Sequence, residues 1–172
     1  MTADPRPFRP RRPRGGLGIS EAVVSVFVVS FALVAALHAA GGAIVAQAKG
    51  AERARARHLA DALLAEVASL DYEDPTAVLK LFGPEAGELL SSKANYNDVD
   101  DFNGWAESPP RDRTNVALPN LSGWRREVAV ARVNPLDPTQ AAATDTGAKR
   151  VTVTVKRNGV TLATRTTIRT KP

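Results

Sequence analysis

Residues 12–31 read RPRGGLGISEAVVSVFVVSF, and they place a single carboxylate, Glu21, at the mouth of an apolar run. From Ala22 to Ala46 no residue carries a charge. An ionised side chain at the centre of a bilayer costs about 2.5–3.5 kcal/mol on insertion scales, so a carboxylate kept at this position calls for a reason. A membrane span needs about 20 apolar residues. The stretch 17–46 exceeds that, and is read as a helix able to cross a bilayer.

Upstream lies an extended, basic head. Residues 1–16 hold five arginines (Arg6, Arg9, Arg11, Arg12 and Arg14), one acid (Asp4) and four prolines. Proline at this spacing forbids a helix and favours a solvated, extended chain. The head carries +4 of the net +5, so the other 156 residues are almost neutral. Positive charge confined to one flank of an apolar helix sets topology, with the basic side cytoplasmic and the remainder outward. The arginines lack the interleaved aromatics or folded module of a nucleic-acid surface, so no direct nucleic-acid contact is expected. The 172-residue length fits one domain plus an addressing segment. The chain has no cysteine, which excludes disulfides, thiolate metal sites and a cysteine nucleophile.

Downstream the helical pattern continues with a new character. Charges enter from Lys49 onward, and Leu59, Leu63, Val67 and Leu70 recur as one stripe, with Ala60 and Leu64 beside it. That spacing predicts an amphipathic helix over 47–70, continuous with the apolar half. Gly41, Gly42 and Gly50 are its weak points. Asp71–Pro75 should end it, and a short helical piece is expected around Thr76–Leu81. Residues 71–123 read as a variable loop region, rich in Asn, Asp, Pro, Ser and Gly from 91 onward. Alternating runs follow at 124–133, 150–156 and 160–170, and Asn158-Gly159 is a two-residue hairpin signal. Pairing Arg157 with Val160 would place Val155 opposite Leu162 and Val153 opposite Thr164. The expected fold class is α+β: a long N-terminal helix whose amphipathic half covers an antiparallel sheet of about three strands in 124–172.

Gly16, Leu17, Glu21 at the fifth position after the glycine, and a long apolar run together resemble the prepilin signature of type IV pilins, minor pilins and type II secretion pseudopilins. Minor pilins and I-type pseudopilins fit best, with LADALLAEV (59–67) following the membrane half. The resemblance covers the order of leader, two-part helix, loop and sheet. It implies cleavage by a prepilin peptidase between Gly16 and Leu17, and N-methylation of Leu17. It also implies an assembly role for Glu21, whose carboxylate would neutralise the Leu17 amine of a neighbouring subunit. The implied partners are the peptidase, other pilin or pseudopilin subunits and the inner-membrane assembly platform. The implied location is the bacterial inner membrane, single-pass with the C-terminal domain outside, and then a pilus or pseudopilus. The chain departs from the family pattern at Gly18-Ile19-Ser20, and it has His38 where many major pilins carry a proline.

Other readings keep a place. Ala46–Ala48 offers an Ala-x-Ala signal-peptidase site, which would make the chain an ordinary secreted protein, and an uncleaved anchor would make it a monomeric single-pass binding domain. GGLG lacks the preceding strand that a phosphate loop needs. In NDVDDFNG (97–104), Asp98, Asp100, Asp101 and Asn103 are candidate calcium ligands, against the plainer reading of a solvated loop with Asx turns. Some pseudopilins bind calcium in a loop. His38 and His58 lack a partner set for metal, and no triad or paired-carboxylate pocket is visible, so enzyme activity is not expected.

Overall fold

The computed structural model describes residues 18–76, 82–85, 88 and 93–172. Gly16 and Leu17, with the proposed cleavage point, lie outside the described residues, as does most of the helical piece expected at 76–81.

One continuous α-helix, α1, runs Ile19–Ala68. It belongs to two compact units, divided between Gln47 and Ala48. In the first unit every described side chain is exposed, including Phe27, Phe31, Leu33 and Leu37. By length and composition this helix can cross a membrane.

The second unit is an α+β domain. One face of α1 (Ala56, Leu59, Ala60, Leu63 and Val67) is buried, as the stripe predicts, and Leu70 packs at its margin. The helix stops at Ala68, two residues before the expected end. Beyond it the backbone is captured by another segment: the Val99 N–H donates to the Asp71 carbonyl at 3.0 Å, in a parallel bridge between Asp71 and Asp98.

Among the described residues the sheet has five strands: β1 (Ala106–Glu107), β2 (Trp124–Asn134), β3 (Asp137–Ala141), β4 (Ala148–Arg157) and β5 (Val160–Thr170). Its order is β1-β2-β4-β5, with β3 also paired to β2, and all pairings are antiparallel. The three long strands match the alternating runs. β1 and β3 escape sequence reading because they are short and polar. Val128, Val130, Val151, Val153 and Val155 form the buried face against α1, closed at its margins by Val99, Phe102, Leu121 and Trp124.

The hairpin register needs one correction. Arg157 does pair with Val160, and Asn158 and Gly159 both have positive φ (48° and 81°), as a type I′ turn requires. A bulge then intervenes between Val155 and Lys156, so that Val155 faces Ala163 and Val153 faces Arg165. The extra residue, Leu162, packs partly buried against the same core as Ala163. A one-residue slip exchanges the two faces of the rest of the strand. Arg165 therefore shares a face with Val153 and reaches Asp61 on α1 at 2.7 Å, while Arg169 donates to the Leu70 carbonyl at 3.2 Å.

Candidate functional sites

Glu21 sits in the first turn of α1. Its N–H donates to the Gly18 carbonyl at 3.0 Å, and its own carbonyl accepts from Ser25 Oγ at 2.8 Å, so its backbone is part of the helix. Its side chain is exposed, and among the described residues no ion pair or hydrogen bond engages its carboxylate. A negative charge here is favoured by the helix dipole.

The second candidate region is the acidic segment 97–103, and here the polar-loop reading gives way to a buried lattice. Asp98, Asp100 and Asp101 are each at most 3% exposed. Asp98 Oδ1 accepts the N–H groups of Asp100 (2.6 Å) and Asp101 (3.2 Å), the geometry of an Asx turn. Asp101 Oδ2 accepts the N–H groups of Asn97 (2.9 Å) and Asp98 (3.1 Å). Asp100 forms an ion pair with Lys149, whose side chain is 1% exposed. Lys149 also donates to the Tyr72 carbonyl and lies 4.0 Å from the centre of the Tyr72 ring. Asn103 turns to the sheet instead, where its Oδ1 accepts the Val130 N–H at 3.2 Å. The four residues singled out from sequence thus serve three different structural purposes.

Burial, with Asp101 and Asp100 close by, pushes the Asp98 carboxyl up to about 7. Burial also raises Asp100, and Lys149 opposes that rise. A cavity of about 110 Å³ opens beside this lattice, lined by six carboxylates and two cations, Arg132 and Lys149. Glu85 is one of those carboxylates. Glu85, Glu88 and Asp101 each bring a carboxylate oxygen to within 4.8 Å of the other two. Burial, followed by the hydrogen bond with Glu85 and the charge of Asp101, pushes Glu88 up to about 7. Glu85 and Glu88 were not among the residues the sequence singled out. Their only signal is a three-residue spacing after Gly83-Pro84.

Two more largely buried charge pairs hold Lys93 and Glu107 in place. Arg126 engages Glu107 at 2.7 Å through Nε, and the Arg111 N–H donates to the same oxygen at 3.0 Å. Lys93, 4% exposed, pairs with Glu66 of α1 at 3.2 Å and donates to the Arg111 carbonyl at 3.1 Å. At the other end of the domain an open groove of about 460 Å³ runs past Trp124 and Arg55. The 2.6 Å ion pair between Glu52 and Arg157 borders it.

Compared with protein-family models, curated proteins and solved structures, the chain matches none.

Proposed function

We propose that this chain is a structural subunit, minor rather than major, of a type IV pilus or a type II secretion pseudopilus, and not an enzyme. The observation that carries the reading is Gly16-Leu17 followed by Glu21 and a charge-free apolar run, continuous with a helix whose second half covers an antiparallel sheet. In this reading a prepilin peptidase removes residues 1–16, leaving a cationic amine on Leu17. Glu21 of one subunit pairs with that amine on its neighbour. Two charges that are each costly in hydrocarbon become a favourable pair at low dielectric, provided both are present. Two features support it. The Glu21 carboxylate has no partner within the described chain, and the apolar side chains of residues 19–47 are exposed.

The test has two parts. The chain is recovered from membranes containing an active prepilin peptidase, and its intact mass and first residue are determined; a methylated Leu17 start is expected. Glu21→Ala should then remain in the membrane but lose at least tenfold in incorporation into sheared filaments or membrane-extracted assemblies. A start at Lys49, or wild-type incorporation by Glu21→Ala, would instead favour the secreted or singly anchored binding domain.

A further inference from the structure

We propose that residues 48–57 of α1, together with the groove beside them, bind the headgroups of anionic phospholipids in the bilayer that the apolar run crosses; this stands on the membrane-spanning reading of that run and not on filament assembly.

Four cations, Lys49, Arg53, Arg55 and Arg57, stand in this stretch against one carboxylate, Glu52. All belong to the second unit. Glu52 is spent on Arg157 at 2.6 Å. Lys49, Arg53 and Arg57 recur every four residues, which places them along one ridge of the helix, and all three are exposed. Among the described residues no carboxylate, carbonyl or ring engages their side chains. Elsewhere in the domain cations are neutralised: Lys93, Lys149, Lys156, Arg157, Arg165 and Lys171 each hold a carboxylate. Like charges four residues apart repel and weaken a helix. Cations on this flank also oppose the topology set by the arginines of residues 1–16. Two unfavourable effects that nothing among the described residues offsets point to an anion outside the chain.

The groove supplies a seat for one phosphate. Its volume is about 460 Å³, and it lies between Ala48, Ala51 and Arg55 of α1 and Asn120, Ser122 and Trp124. Arg55 makes one long hydrogen bond, donating to the Pro119 carbonyl at 3.4 Å, so most of its five N–H donors stay available. The Asn120 amide and the Ser122 hydroxyl are exposed and, among the described residues, unengaged. A planar guanidinium flanked by neutral donors suits the oxygens of a phosphate.

Position along the chain selects a lipid rather than a soluble anion. Lys49 is three residues past Ala46, the last residue of the apolar run. Three residues span at most about 11 Å, and headgroups border each side of the hydrocarbon core by about 5–8 Å. Side chains on an α-helix lean toward its N-terminus, here toward the apolar run, and the long stems of Lys and Arg extend that reach. Cations beside an anionic lipid surface are attracted to it within a Debye length, about 8 Å in physiological salt.

The test reconstitutes the full-length chain in vesicles of phosphatidylcholine, alone or mixed three to one with phosphatidylglycerol. Flotation with the vesicles in alkali checks the membrane span separately from the choice of lipid. Thermal unfolding is followed by the fluorescence of Trp105 and Trp124, both in the domain. Phosphatidylglycerol should raise Tm by roughly 3 °C or more, and high salt should shrink the rise. Free glycerol phosphate, present throughout with phosphatidylcholine vesicles, should not reproduce it. Lys49→Gln/Arg53→Gln/Arg57→Gln should melt in phosphatidylcholine at or above the wild-type temperature, because repulsion along the ridge is relieved, and should lose most of the rise. Arg55→Gln should lose at least half of it. Residues 1–16 are intact in both variants, so any effect of the arginine head is common to all samples. Equal Tm in the two lipids would overturn the proposal, as would a full rise retained in either variant. An equal rise with free glycerol phosphate would overturn the lipid assignment in favour of a soluble anion. A chain that does not float with the vesicles would overturn the membrane span itself, and this proposal with it.

Discussion

At the scale of single residues, this domain is held by charges in places where charges are expensive. Lys149 is the extreme case: a buried ammonium surrounded by the Asp100 carboxylate, the Tyr72 carbonyl and the Tyr72 ring. Removing one partner of a buried pair leaves the other charge stranded, which costs about 3–5 kcal/mol, whereas replacing both with apolar groups is often neutral. Lys149→Met should therefore lower the urea midpoint severely, and Lys149→Met/Asp100→Leu should recover much of the loss. Equal midpoints for the single and double variants would show that the pair is not coupled. Tyr72 has a second role, in which its O–H donates to Asp145 Oδ1 at 2.6 Å. Partial burial acts to raise Asp145, but that hydrogen bond and the Gly147 N–H prevail and hold it at about 2. A carboxyl whose folded pKa lies below its ordinary value contributes stability that is complete above the ordinary value and is lost as pH falls toward the folded one. The window here is from about 4 down to about 2. Asp145 is exposed, so solvent screening keeps the effect small. Tyr72→Phe should flatten the acid limb of stability in that window, as measured by unfolding across a pH series. An unchanged slope would remove Tyr72 as the cause.

At the scale of elements, the stripe on α1 and the bulge in β5 act together. Ala56, Ala60 and Leu63 are 0% exposed against the valines of β2 and β4, and small residues at two of these positions let helix and sheet approach closely. Truncating a buried leucine costs the lost transfer energy plus a cavity term, together about 2–5 kcal/mol. Leu63→Ala should fall in that range and should melt the sheet and the 48–68 half of the helix in one transition. Separate transitions by backbone and tryptophan probes would show that the two elements are not one cooperative unit. The stripe was legible because helical periodicity is local. The hairpin turn was legible for the same reason, since Asn158 and Gly159 suit the positive φ it demands. The bulge was not. Whether Leu162 or Ala163 faces Val155 depends on what the helix presents across the sheet, and Arg165 lies far in sequence from its partner Asp61.

At the scale of the whole molecule, the chain separates its tasks along its length. Its net positive charge lies in residues 1–16, its uncharged apolar surface in 22–46, and its nearly balanced charges in the domain that follows. The proposed assembly role rests on the first two of these, and Glu21→Ala probes it without touching the third. The sequence by itself determined the apolar helix, its amphipathic continuation, the three long strands and the hairpin turn, because each follows from composition or periodicity within a short window. It also drew attention to Asp98, Asp100, Asp101 and Asn103, but could not tell what they hold. Only the tertiary structure decided that Asp100 belongs to Lys149, that Asn103 belongs to the sheet, and that Asp101 meets Glu85 and Glu88. The physical reason is that desolvation, which makes a buried carboxylate seek a partner, depends on what folds over it, and those groups come from distant parts of the chain.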